Sequence, residues 1–520
     1  MTRQSFVYGA AVLLVAGLLN RILGFAYQIM MIRLIKPEGI GLFNMIYPIY
    51  VLVLVMATAG IPVAVSKLVA EEMARDNLRG AYRIFHICFL ILVISSTTFT
   101  VVCFLASPLL LEYVFPNPKV YFSFLSLMPG LVIVSLCSAF RGFFQGLQQM
   151  TPTAVTQFLE QLVRVVTGLF IAYLLMPYGV EYAAIGASIG VVIGEFTGFM
   201  SILVIYAKGR PVIPHGLDRG AFEPLNHSLG RIFNLAIPVT LTRFVSTSLM
   251  SIDAVMIPGR LQSAGLDLNE ATAAFGQFVG ISESLLFTPG IITISLATAL
   301  IPAVSDALAS HNLTLVRTRA REAIRITLLA GIPSSFIFFL LAEDLCSVIF
   351  GYPEAGASLR ILAVGGPFLY IQQTTTGILL GLGEASRPFR NLVFASVFKM
   401  IGIYYLTALP HLGIRGTAMA LVVGYAIMAR LNLADIRQLT GFRINQKDDL
   451  LKPFFSACCM TPSIVLAKHY LNVLNFSKPA STAGAVFSGL VTYFLFLLIT
   501  GCIDNHDLKR LKRIFFRNRF

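Results

Sequence analysis

Apolar residues dominate this chain in long runs separated by short polar segments. Fourteen runs stand out, near 6–32, 40–66, 84–106, 121–141, 153–176, 182–207, 232–257, 275–301, 326–341, 359–381, 391–409, 416–429, 453–467 and 481–501. Most approach the ~20 residues a helix needs to cross the hydrocarbon core. Their continuity predicts helices, because a membrane β-barrel would show segments of ~10 residues with alternating polarity. The expected fold is an all-α polytopic membrane protein with about 14 transmembrane helices. The first run is longer than a signal-peptide core and no small-residue cleavage site follows closely, so it reads as a retained helix.

Composition sharpens this reading. The 520 residues are 57% hydrophobic and 12% charged, against roughly 25% charged in soluble domains. A soluble enzyme and a disordered chain are both excluded. The net charge of +14 would suggest nucleic acid in a soluble protein. Here it follows the membrane instead. With the N-terminus inside, 27 of the 39 Lys and Arg fall on inner segments and seven on outer ones. That bias predicts a cell-membrane protein with both termini cytoplasmic, and removes the need for a nucleic-acid partner. The stretch 502–520 ends in KRLKRIFFRNRF, a basic tail suited to anionic membrane lipids. The seven Cys form no CxxC pair and sit mostly inside apolar runs, so they read as small apolar fillers rather than metal ligands. No metal and no cofactor is expected. The longest outer loops, near 107–120, 258–274 and 342–358, reach about seventeen residues. The chemistry must therefore lie within the bundle.

An internal repeat organises the runs. AVSKLVA at 64–70 matches AVSDALA at 303–309, an offset of 239. Gly142, Gly146 and Leu147 match Gly377, Gly381 and Leu382 at 235, and GASIGVVIG at 186–194 matches GTAMALVVG at 416–424 at 230. Each helix pairs with the one six later, so the copies keep one orientation: two parallel six-helix lobes plus two C-terminal helices. The expected boundaries are 1–230 and 231–440 for the lobes, 441–501 for the last two helices and 502–520 for the tail. Such lobes leave a cleft near the midplane that rocking opens to either side. The glycine pairs have a plainer use in close helix packing. The prolines at 48, 62, 129, 238, 289, 302 and 367 are expected to kink or end helices.

A charge at the bilayer centre costs at least ~2.5 kcal/mol on insertion scales, so each one there faces a cavity or a partner. Four cations fall at such positions, Arg21, Arg164, Arg243 and Lys399, and four carboxylates, Glu160, Glu195, Asp253 and Glu283. Glu160 and Arg164 are i,i+4 and read as a mutually neutralising pair. Arg164 and Lys399 differ by 235 and read as equivalent positions of the two lobes. Gln28 shares a face with Arg21, flanked by Asn20 and Tyr27, and suits a wet wall. Guanidinium groups bind phosphate oxygens in pairs, so the substrate-binding candidates Arg21, Arg164, Arg243, Lys399 and Gln28 point to a diphosphate in an apolar setting: a lipid-linked headgroup. Asp253, Glu283 and Glu195 are the candidates for coupling to Na⁺ or H⁺, with pairing to Arg243 an equal reading for Asp253. No outer loop gathers a His with two carboxylates, and the GxxxG pairs lack a following Lys-Ser/Thr, so neither a transferase nor a nucleotide site is expected.

LLNRILGFAYQIMMIRLIKPEGIGLFN (18–44) and IPVAVSKLVAEE (61–72) resemble the polysaccharide-transporter and flippase branch of the multidrug/oligosaccharidyl-lipid/polysaccharide exporter superfamily. The resemblance runs through essentially the whole chain. It implies two six-helix lobes, alternating access, and movement of undecaprenyl-diphosphate-linked sugars from the inner to the outer leaflet. A sporulation subgroup is linked to spore-cortex peptidoglycan, which makes lipid II or a relative the implied substrate. Arg21 matches a cavity arginine of lipid II flippases. Tyr27 and Gln28 stand where those carry a charged pair, and Glu283 about where they carry another arginine. Alternatives are a multidrug or organic-cation antiporter of the same superfamily, which would favour carboxylates in its cleft, and a non-transporting envelope or sporulation assembly factor.

Overall fold

The computed structural model describes residues 6–209 and 224–502. The first five residues, most of the expected inner loop 208–230 and all but the first residue of the expected tail 502–520 lie outside the described residues. Among those described, every regular element is helical and none is a strand. The chain is an all-α, multi-pass membrane protein. Eleven described stretches are long and apolar enough to cross a bilayer, where the runs predict fourteen spans. The first stretch, Val15–Ala74, takes in both of the first two runs. The runs at 359–381 and 391–409 do form helices. Gln372, Gln373 and three threonines dilute the first, and Arg387, Arg390 and Lys399 load the second.

The chain forms two compact units, Met1–Gly280 and Ile281–Phe520. The division falls later than the 230/231 boundary expected from the repeat, because the seventh long helix packs within the first unit. Unit 1 contains α1 (Phe6–Thr58), α2 (Ile61–Ala74), α3 (Leu78–Tyr113), α4 (Tyr121–Gly146), α5 (Thr151–Leu175), α6 (Val180–Gly209), α7 (Leu225–Ser263) and α8 (Leu268–Gln277). α1 touches α3 to α8, and the α5–α6 interface is the most extensive. Phe85 of α3, Phe140 and Phe143 of α4 and Tyr206 of α6 pack edge-to-face and tilted at the core, with Phe85 centroids 5.1 and 4.8 Å from those of Phe140 and Phe143.

α1 is two helices joined across Lys36, whose φ of 60° and ψ of 170° are non-helical. The cause is local. Pro37 disfavours the α-region for the residue before it. A positive φ is strained for lysine. Tight packing over-determines the joint, since no side chain fits at Gly276 of α8 against the Pro37 carbonyl. The helix breaks again at Ala59 and Gly60, with φ of 42° and 63°. Segment 37–58 is thus bounded by a break at each end.

Unit 2 contains α9 (Ser284–Phe287), α10 (Gly290–Ala309), α11 (Leu313–Leu340), α12 (Ala342–Leu345), α13 (Gly356–Gly381), α14 (Ser386–Leu406), α15 (Ile414–Thr440), α16 (Lys452–Val473) and α17 (Lys478–Ile499). α13 is central, touching α10, α11 and α15, while α16 packs on α17 and α11. Pro289 separates α9 from α10 and Pro62 stands in the first turn of α2, whereas Pro48, Pro129, Pro238, Pro302 and Pro367 lie inside helices.

The internal packing of the units repeats. A Cβ added at Gly146 would lie 2.8 Å from the Ser66 carbonyl and 2.7 Å from Val69 Cβ. One added at Gly381 would lie 2.9 Å from the Ile301 carbonyl and 2.8 Å from Val304 Cβ. Gly142 meets the Pro62 carbonyl as Gly377 meets that of Ala297. These contacts correspond at an offset of 235 on both helices. The AVSKLVA and AVSDALA segments match at 239, one helical turn out of the packing register.

Candidate functional site

The site in unit 1 begins with glycine. Gly186, Gly190, Gly194 and Gly198 recur every four residues on one face of α6. Opposite them on α5 stand Ala172, Gly168, Arg164 and Glu160, also four apart. No side chain fits at Gly190 against Gly168, so the two backbones nearly touch. Further along, the missing side chains make room for charged stems. A Cβ at Gly194 would lie 2.8 Å from Arg164 Cβ, and one at Gly198 would lie 3.1 Å from Glu160 Oε2. The glycine ladder is therefore what admits two charges into a helix interface.

A four-charge cluster results. Glu160 bridges two guanidinium groups: Arg141 Nη2 donates to Oε2 at 2.7 Å and Arg164 Nη2 to Oε1 at 2.7 Å. Glu195, next to Gly194 and 5% exposed, lies 3.7 Å from Arg164 Nη2. The Tyr50 hydroxyl, on segment 37–58 of α1, donates to Glu195 Oε2 at 3.1 Å. Gly130 of α4 lets the two meet, since a Cβ there would lie 2.6 Å from the Tyr50 hydroxyl. Four helices thus contribute, and two Arg against two Glu leave no formal net charge. Internal cancellation is what makes such a group tolerable in an apolar bundle.

The expected Glu160–Arg164 pair is present, and Glu195 joins it. Arg141, at the end of the apolar run 121–141, lies within α4 and belongs to the cluster. Phe140 and Phe143 face α3, which turns Arg141 toward α5. Tyr50 was not singled out by sequence. Its signal is faint, a tyrosine one helical turn from Tyr47 in an apolar run.

The other candidates are dispersed. Arg21 near the middle of the first half of α1 and Arg243 in the middle of α7 are exposed. Among the described residues neither makes an ion pair. Both belong to unit 1, where α1 packs on α7. The Gln28 amide donates to the Gly280 carbonyl at 3.3 Å. Asp253 on α7 and Glu283 at the end of the π-turn Phe278–Glu283 are half-buried. Among the described residues no group of three or more His, Cys, Asp or Glu could hold a metal ion.

Unit 2 reproduces the seat of Arg164. A Cβ at Gly424 of α15 would lie 3.2 Å from Lys399 Cβ, with the Ala395 carbonyl at 3.8 Å. Gly194 meets Arg164 Cβ and the Glu160 carbonyl in the same way. Lys399 is thus the packing counterpart of Arg164, at the offset of 235. The counterparts of Glu160 and Glu195 are Ala395 and Tyr425, so only unit 1 places carboxylates there. Unit 2 has a separate polar centre that sequence reading missed. Asn432 Nδ2 donates to Thr375 and Thr376 Oγ1 at 3.1 and 3.2 Å. Asn391 Nδ2 donates to Asn432 Oδ1 at 3.0 Å and Asp435 Oδ2 at 2.7 Å, and Arg387 Nη1 donates to Asp435 Oδ1 at 2.9 Å. The polar run 372–376 and the i,i+3 pair at 432 and 435 were the available signals.

Residues 6–308 match the polysaccharide biosynthesis protein family, and residues 238–405 match the MatE family. Stage V sporulation protein B of Bacillus subtilis (strain 168) is 30% identical over 513 residues, 98% of each chain. The lipid II flippase MurJ of the same organism is 24% identical over 462 residues, covering 84% of this chain and 83% of its own. Among solved structures, a lipid II flippase MurJ in an inward closed conformation superposes with a TM-score of 0.71 at 15% identity, over 93% of this chain and 97% of that one. An inward-facing multidrug resistance MATE family transporter of the MOP superfamily gives 0.66 at 16% identity, over 81% and 94%. At these identities the two structures speak for the fold alone.

Proposed function

This chain belongs to the polysaccharide biosynthesis protein family, and from that premise we propose that it is an alternating-access flippase for an undecaprenyl-diphosphate-linked cell-envelope precursor, moved from the inner to the outer leaflet. At the coarser level it is a multi-pass membrane transporter and not an enzyme. The headgroup proposed is lipid II or a close relative, by likeness to the lipid II flippase. A role in spore-cortex peptidoglycan is proposed by likeness to the stage V sporulation protein. Cytoplasmic termini follow from the charge bias along the chain.

The observation that carries this reading is the contrast among the arginines of unit 1. Arg164 is held by Glu160 and Glu195, whereas Arg21 and Arg243 are exposed and make no ion pair among the described residues. A guanidinium on a membrane-spanning helix without a carboxylate suits an anionic ligand such as a diphosphate. The proposed anion contacts are therefore Arg21 and Arg243 of unit 1, with Gln28 on the face of Arg21. Lys399 has the packing seat of Arg164 and stays a candidate by that position alone. Arg164 shifts from substrate contact to holding the cluster together, because its charge is already met. Asp253 and Glu283 stay as coupling candidates beside Glu195.

The test is a leaflet-accessibility assay for lipid II in cells depleted of this protein and supplied with variants. Arg21→Ala and Arg243→Ala are expected to lose at least tenfold in outer-leaflet lipid II while inserting normally. Full activity in both variants refutes the role given to these arginines.

A further inference from the structure

We propose that Glu195 is a proton-binding site, and that its proton decides whether Tyr50, and with it segment 37–58, stays docked on α6. The geometry ranks the two carboxylates. Glu160 has a guanidinium at 2.7 Å from each oxygen, one from Arg141 and one from Arg164. Glu195 has only the second claim on Arg164, at 3.7 Å, plus one phenol hydroxyl. It is also the more buried, 5% exposed against 18% for the Glu160 side chain. A carboxylate deep in a bundle with incomplete pairing is the group that accepts a proton. A metal ion is a poorer occupant, since it would sit beside the Arg164 guanidinium. Uptake forms one O–H bond on Glu195 with a proton from water and raises the cluster's charge by one; release reverses this.

Every helix packed against this part of α6 presents its groups to the site. α1 brings Tyr47 and Tyr50, α4 brings Cys137 and Arg141, and α5 brings Glu160 and Arg164. Of the charged groups, Glu160, Arg164 and Glu195 ride on the α5–α6 pair, which the glycine ladder clamps. Tyr50 rides on a segment bounded by Lys36 and by Ala59–Gly60. The Tyr50–Glu195 hydrogen bond thus joins the clamped block to a segment set off by a helix break at each end, and it is the joint the proton alters. A use of this device to couple transport to a proton gradient rests on the flippase reading; the proton site itself does not.

The experiment is infrared titration of the full-length protein in lipid nanodiscs, following the C=O stretch of protonated carboxylic acid. Wild type is expected to show a band that grows as pH falls. Glu195→Gln is expected to lose one component of it in the difference from wild type, and Tyr50→Phe to keep that component with a shifted pH dependence. A band untouched by Glu195→Gln, or a titration unmoved by Tyr50→Phe, overturns the proposal. Tyr50→Phe carries the test alone if Glu195→Gln does not fold. Wild type that titrates in this way but moves no lipid in the leaflet assay counts against the flippase reading and leaves the proton site standing.

Discussion

Replacing Glu160 by Gln would strike the centre of the unit 1 cluster while keeping the shape of the side chain. The carboxylate holds Arg141 and Arg164 at 2.7 Å each, with all three side chains at 17–18% exposure. Without its charge, two cations are left with Glu195 alone, 3.7 Å from one of them. Removing one partner of a buried pair costs about 3–5 kcal/mol. Partial exposure argues for the lower end, near ~3 kcal/mol. Glu343→Gln is the matched control. Glu343 bonds Arg360 at 3.0 Å, with side chains 59% and 46% exposed. Exposed pairs are worth about 0–1 kcal/mol. Both variants would be unfolded by titrating SDS into the same mixed micelles, with far-ultraviolet circular dichroism as the readout. The expected order is a large loss for Glu160→Gln and almost none for Glu343→Gln. Losses equal to within about 1 kcal/mol would refute the claim that burial, rather than bond length, sets the value of these pairs.

Two further outcomes follow from packing. Gly194→Ala would put a Cβ 2.8 Å from the Glu160 carbonyl and from Arg164 Cβ. The helices must part, at a cost of about 1–3 kcal/mol. Gly259→Ala on α7 meets nothing within 4 Å and is expected to be neutral or stabilising by up to about 1 kcal/mol in the same assay; equal effects would refute the ladder. In unit 2, Asn432→Ala removes a fully buried amide that reaches three side chains. It is expected to lower stability by about 1–3 kcal/mol without changing outer-leaflet lipid II per folded molecule, and a variant as stable as wild type would contradict the network.

The helical membrane fold was legible because bilayer thickness imposes run length directly on sequence. The repeat was legible because small residues at fixed spacing pack helices in both units. Its register was not: AVSKLVA and AVSDALA align by letter, but packing follows carbonyls and Cβ atoms one turn away. The Glu160–Arg164 pair could be read because both partners lie on one helix at i,i+4. Arg141, Tyr50 and Asn391 could not, since their partners come from other helices and a single sequence records no tertiary neighbours. The division at 280/281 was hidden for the same reason, because it depends on which helices α7 touches.

The i,i+4 pair on α5 also bears on how this chain enters its membrane. Helices are delivered in order of synthesis, and a lone carboxylate or guanidinium resists partition into lipid. α5 arrives with Glu160 already bonded to Arg164 inside one helix, so it carries its counterion with it. α6 follows after a short link, bearing Glu195, whose counter-charge Arg164 lies on α5. Its glycine face packs on α5 at backbone distance, and that same packing brings Glu195 to the guanidinium. Having Glu160 and Arg164 on one helix thus lowers the cost of placing that helix in lipid as well as holding the finished bundle.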